Sequence, residues 1–190
     1  MRKSVLLTAL VAATLSTAAV ADDRQEVIDA FTKGMSKGTF ETRMKPEGKN
    51  PGMVMRVILP NRFHMKTEGS EMIMLPQGTW MNAGGQWMKM PMDMSKVIEG
   101  YSQKSIDEGM DALADVREIR SETVEGCDST VYSYRTSGKF MGVENKSQAE
   151  VAICDDTGMP IRVVSLDGNG KPEATLYYDF SGGFEINPPN

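Results

Sequence analysis

What most constrains this chain is its punctuation. From Thr39 onward, short runs with apolar residues at every second position alternate with turn chemistry, and a period of two is the mark of half-buried strands. Strands are expected at 39–45, 52–59, 62–67, 71–75, 79–82 and 86–91, then at 116–124, 128–135, 148–154, 160–166 and 174–180. Between them stand Pro46-Glu47-Gly48, Pro60-Asn61, Glu68-Gly69-Ser70, Pro76-Gln77-Gly78, Ala83-Gly84-Gly85, Asp155-Asp156-Thr157-Gly158 and Asp167-Gly168-Asn169-Gly170. Connections this short require antiparallel neighbours. Eleven or so short antiparallel strands are too many for a flat open sheet. The expected fold is therefore α+β: a strongly curved antiparallel sheet or barrel of about eleven strands.

Two segments break the strand period. Asp22 or Asp23 can cap a helix whose Val27, Ile28, Phe31 and Met35 share a face and whose end is marked by Gly34 and Gly38. Later, Val97, Ile98 and Tyr101 share a helical face, and Ser105 with Glu108 forms an S-x-x-E capping box ahead of Met110 and Leu113. These apolar helix faces need burial, and the concave side of the sheet is the economical place for it. No repeat or linker divides residues 22–190, so they read as one domain.

The first 21 residues read as a cleavable export signal. Arg2 and Lys3 precede an apolar run from Val5 to Leu15 and a small-residue end, Ala19-Val20-Ala21. The run is well short of the roughly 20 apolar residues that span a bilayer, and no Cys follows the cut to accept a lipid. The expected location is the periplasm, without lipidation. In an oxidising compartment the two cysteines, Cys127 and Cys154, are most simply one disulfide. A hairpin of 128–135 with 148–154 that matches Cys127 to Cys154 sets Tyr132 opposite Ala149 and Thr130 opposite Val151. Tyr132, Tyr134, Val151 and Ile153 then share one face, with Ser129, Ser133, Glu150 and both cysteines on the other.

Composition excludes several chemistries. A net charge of −5 argues against a nucleic-acid partner, a single His against a multi-histidine metal site, and two Cys against a zinc finger. Gly34-Met35-Ser36-Lys37-Gly38 matches the G-x-S-x-G nucleophile pattern, but it closes a helix and enters a strand, the reverse of the elbow's context. Gly168-Asn169-Gly170 reads as a hairpin turn, and Asp107, Glu108, Asp111 and Asp115 read as a solvated helix face. The reading is of no enzyme and no cofactor.

Several pieces resemble the periplasmic lipoprotein-carrier superfamily (LolA/LolB-like). Val57-Ile58-Leu59-Pro60-Asn61-Arg62-Phe63-His64-Met65 is similar to its early strand pair, and Gly78-Thr79-Trp80 with Gln86-Trp87-Met88 to the following hairpin. Ala174-Thr175-Leu176-Tyr177-Tyr178-Asp179-Phe180, ending in Phe184-Glu185-Ile186-Asn187-Pro188, resembles its closing strands. Leu59 stands where the family often has a basic residue, so a gating role for that position does not transfer. The resemblance implies a half-open barrel whose concave face holds acyl chains beneath a helical lid.

Sixteen methionines are the most unusual feature, and most lie between Met53 and Met94. Met53/Met55, Met72/Met74 and Met88/Met90/Met92/Met94 recur at period two, so each set lies on one strand face. Phe63 and Met65 share a face, with Arg62, His64 and Lys66 on the other. Three readings compete: core filling, a pliable wall for an apolar ligand, and a soft-metal site. The wall reading takes Met55, Met65, Met74, Trp80, Trp87, Met90 and Met92, with Val97, Ile98 and Tyr101 as a lid and residues 94–115 moving for release. The partner would be a hydrophobic small molecule or lipid, possibly passed to an envelope membrane protein or lipoprotein. The metal reading takes His64, Met65, Met88, Met90, Met92 and Met94 around Cu(I). A purely structural or interaction protein of the envelope, its core filled, is the remaining alternative.

Overall fold

The alternation along the chain resolves into eleven strands. A computed structural model describes residues 17–48, 51–91, 103–140 and 143–189. Helix α1 (Thr17–Met35) leads into β1 (Thr39–Pro46), β2 (Met53–Ile58), β3 (Arg62–Thr67), β4 (Ser70–Leu75), β5 (Gly78–Ala83) and β6 (Gln86–Met90). Helix α2 (Gln103–Asp111) follows, then β7 (Leu113–Val124), β8 (Cys127–Phe140), β9 (Val143–Cys154), β10 (Met159–Leu166) and β11 (Pro172–Asp179). All eleven form one antiparallel sheet in the order β6-β5-β4-β3-β2-β1-β11-β10-β9-β8-β7. The sheet is two meanders joined where β1 pairs with β11, and it is curved and unclosed.

The helix in front of the sheet follows from spacing. Val27, Ala30, Phe31 and Gly34 are buried, an i, i+3, i+4, i+7 stripe, with Ile28 and Met35 flanking it. This stripe lies over β7, β9 and β10, against Val116, Tyr132, Val151 and Ile153. Gly34 is buried because the Phe180 ring occupies the space a side chain would take: a Cβ there would sit 2.5 Å from Cζ. Gly38, at φ +72°, ends the turn that hands α1 to β1, and Ser36 Oγ donates to the Lys33 carbonyl at 2.7 Å. The G-x-S-x-G motif is a helix end. The other glycine-rich stretch is equally local, since Asp167 Oδ1 accepts from the amides of Asn169 and Lys171, each at 2.8 Å. Those bonds hold its carboxyl below the usual range.

Each sheet face carries two apolar clusters. On the helix side, the cluster under α1 continues through Met35 and Tyr178 into Phe40, Met55, Val57, Phe63 and Met74. On the outer side, Val124, Val131 and Ala152 pack beneath the second meander, and Ile73, Leu75 and Ile186 behind the first.

Three local expectations are corrected. Helix α1 starts at Thr17, so Asp22 and Asp23 are internal to it, and Asp23 Oδ2 instead accepts from the Glu118 amide at 3.0 Å. Ser105, expected ahead of the helix, lies within α2 (Gln103–Asp111). The β8–β9 hairpin keeps the expected faces but is shifted by two residues. Tyr132 stands opposite Val151, and Ser129 opposite Cys154. The disulfide Cys127–Cys154 is thus diagonal, with Cα atoms 5.7 Å apart, well within the span a disulfide bridges.

Candidate ligand-binding face

The short turns of the first meander set its strands in register so that methionines stack across the sheet. Thr42, Met55, Met65, Met72, Met81 and Met88 are successive cross-strand partners from β1 to β6. Beside them runs a second row, Phe40, Val57, Phe63, Met74, Thr79 and Met90. On the other flank Leu176 pairs with Met44 and Met44 with Met53. All three rows lie on the helix side. Neighbours on adjacent strands stand about 4.5–5.5 Å apart, close enough for long side chains to touch.

Burial falls along the methionine row. Thr42 and Met55 are buried at the sheet centre, Met65, Met72 and Met81 are half-buried, and Met88 at the edge is 52% exposed. In the parallel row Phe40, Val57, Phe63 and Met74 are fully enclosed. The face therefore has an anchored base and an apolar surface that opens toward β6. No charged side chain stands in these rows. Lys66 and Lys89 lie on the outer side, Lys66 2.9 Å from Glu71 and Lys89 over the Trp80 ring at 5.3 Å.

Of the wall candidates, Met55, Met65, Met74 and Met90 share this face. Trp80 and Trp87 do not join it. Trp80 is opposite Ile73 and Trp87 opposite Asn82, and both pack on the outer side with Phe184 and Ile186. Met92, Met94, Val97, Ile98 and Tyr101 lie outside the described residues. The metal set is likewise not assembled. His64 sits on the outer face across from Arg56 and Ile73, and its Nε2 is 3.8 Å from Glu71. Burial pushes the His64 imidazole down from its ordinary value, against the pull of Glu71. Met44 and Met81 have no methionine two residues away and escaped the period-two pattern. The signal that places them is hairpin register.

The helix-covered half of the same face is filled. The Tyr132 hydroxyl is held above its ordinary range by burial and by Glu26, and burial alone pushes that of Tyr134 up to about 12. Two adjoining clefts of about 330 and 390 Å³ open at the far end of this half. They share Asp115, Arg135 and Gln148, and the Arg135–Asp115 ion pair, at 3.1 Å, lies in their common wall. Neither cleft is bounded by the methionine rows.

This curved, unclosed antiparallel sheet bearing an N-terminal helix on one side is a fold shared with solved structures. Among solved structures, the Mycobacterium tuberculosis lipoprotein LppX superposes with a TM-score of 0.65 at 13% identity, over 90% of this chain and 100% of its own. LprF from Mycobacterium bovis superposes with a TM-score of 0.59 at 10% identity, over 90% of this chain and 97% of its own. No family model and no curated protein matches the sequence.

Proposed function

We propose that this chain is an exported, non-catalytic carrier that binds an acyl chain or lipid anchor along the methionine face of β3–β6. The observation supporting the reading is the Met55–Met65–Met72–Met81–Met88 row, an apolar strip without charge whose outer members are open to solvent. Each methylene removed from water contributes about 0.8 kcal/mol, so about ten methylenes against this strip supply a micromolar driving force before ordering costs. Unbranched thioether side chains adapt to tails of varied shape, which suits a carrier that must also let go. Residues 1–21 would direct export, and delivery would follow when a better acceptor competes for the tail. The envelope-protein or lipoprotein partner belongs to that delivery step.

The test is binding of a fluorescent fatty acid to the purified chain, compared with Met72→Glu and Met81→Lys variants. Both sites are half-exposed, so the variants should fold. Each should weaken binding at least about tenfold, because seating the tail would bury an unpaired charge. Failure of the wild type to bind the probe, or unchanged affinity in both variants, would overturn the reading.

A further inference from the structure

The two halves of the helix-side face solve the same packing problem with different residues. Under α1, the inward positions of β7, β9 and β10 include the β-branched Val116, Val151, Ile153 and Val163, with Leu113 and Ala149 beside them and no methionine. In the first meander the corresponding inward positions are methionine at nine places: Met44, Met53, Met55, Met65, Met72, Met74, Met81, Met88 and Met90. An apolar wall needs no sulfur. Leucine or valine would supply the same greasiness without methionine's pliability, and neither offers the soft sulfur donor that these thioethers bring.

We infer that Met72, Met81 and Met88 form a binding site for one soft monovalent metal ion, Cu(I) or Ag(I). The three are consecutive cross-strand partners on β4, β5 and β6, with Met81 opposite both of the others. Adjacent strands lie about 4.7–4.9 Å apart, and a methionine side chain has three rotatable bonds. The outer two can lean inward so that three sulfurs converge above Met81. The site is reachable, because Met72 and Met81 are half-buried and Met88 is exposed. Neutral thioethers select soft d¹⁰ monocations over hard divalent ions, and among the described residues the methionine rows hold no carboxylate to favour the latter. Among the described residues no cluster of His, Cys, Asp or Glu could hold a metal instead. Met65, next in the row, gives a bound ion a further thioether neighbour. The single His takes no part, being on the opposite face.

This site uses the same face as the proposed tail-binding strip, so the experiment must separate the two. Ag(I), a redox-inert probe, is titrated into the purified chain in competition with a colorimetric chelator, and Cu(I) is tested under reductant. The comparison is the triple variant Met72→Leu, Met81→Leu, Met88→Leu. Leucine for methionine conserves volume and apolarity, so the variant should fold with a urea midpoint near that of wild type. The expected result is about one ion per wild-type chain and at least a tenfold loss of affinity in the variant. His64→Gln should retain the ion. A wild type that takes no ion from the chelator, a triple variant that binds as well, or loss in His64→Gln each overturns the site. None of these outcomes touches the carrier reading, which fatty-acid binding by the ion-free wild type reports separately.

Discussion

Gly34 shows how one missing side chain couples α1 to the sheet. Its place in the buried stripe is filled from outside by Phe180, whose ring stacks on Tyr178 with centroids 5.7 Å apart and leans on Phe40 at 5.8 Å. Those three rings join the cluster under the helix to the base of the methionine face. A larger residue at position 34 must push the ring or the helix away. Gly34→Val should therefore destabilise by about 1–3 kcal/mol, the usual cost of overpacking, although valine is the better helix former. Phe180→Ala empties the space the new side chain needs, so the double variant should cost clearly less than the two single losses added. Urea unfolding of the four proteins reads the coupling, and strict additivity would count against this contact.

At the scale of elements, hairpin turns decide what the strand pattern alone leaves open. The loops at 68–69, 76–77 and 84–85 are each two residues long, so the pairings of β3, β4, β5 and β6 follow from counting outward from each turn. Strand existence and turn positions were legible in the alternation and in Gly, Pro and Asn. Sheet-wide parity was not, because it is carried across a turn by register and not by residue type. Grouping by type put Trp80 and Trp87 with the methionines, whereas counting through Pro76-Gln77 puts Trp80 opposite Ile73, on the outer face. Met81 is the converse case: isolated in its strand, it is central in the row. In β8–β9 the pairing moved by two from the expected register, an even step that preserved every face. The disulfide clasps the far end of that hairpin. Replacing both cysteines by serine should lower stability by about 2–4 kcal/mol, the value for closing a loop of this length. Strands of 14 and 12 residues keep their ladder without it, so the variant should still fold cooperatively in urea at a lower midpoint. A midpoint unchanged on reduction or substitution would show that the clasp contributes nothing.

Across the whole molecule the chain ends are crossed. The N-terminal helix lies on the helix side of the second meander, while the C-terminal segment after β11 turns back behind the first. There Ile186 is buried against Ile73 and Leu75, Phe184 packs near Trp80, Trp87 and the Arg56 guanidinium, and Arg62 Nη1 donates to the Ile186 carbonyl at 3.1 Å. The methionine face is thus backed from behind and left open in front, whereas the helix-covered half is filled in front and closed behind by an ionic lattice of Arg120, Glu122, Glu150 and Arg162. Among the described residues the two meanders meet at the β1–β11 seam, at the aromatic bridge of Phe40, Tyr178 and Phe180, and at the Arg43–Glu125 ion pair. Such a layout makes the first meander the softer half, because its strands lose their backing when one small anchor goes. Ile186→Ala removes that anchor and should cost about 2–5 kcal/mol, the range for a buried aliphatic truncation. The loss should be uneven. Amide exchange in β3–β6 should accelerate while β8–β10, held by α1 and the disulfide, keep most of their protection. Fatty-acid binding should weaken along with β3–β6, since a ligand that orders the methionine face would first have to restore its support. Equal loss of protection across both meanders would instead mean that the sheet opens as one cooperative unit, with the tail segment serving all of it.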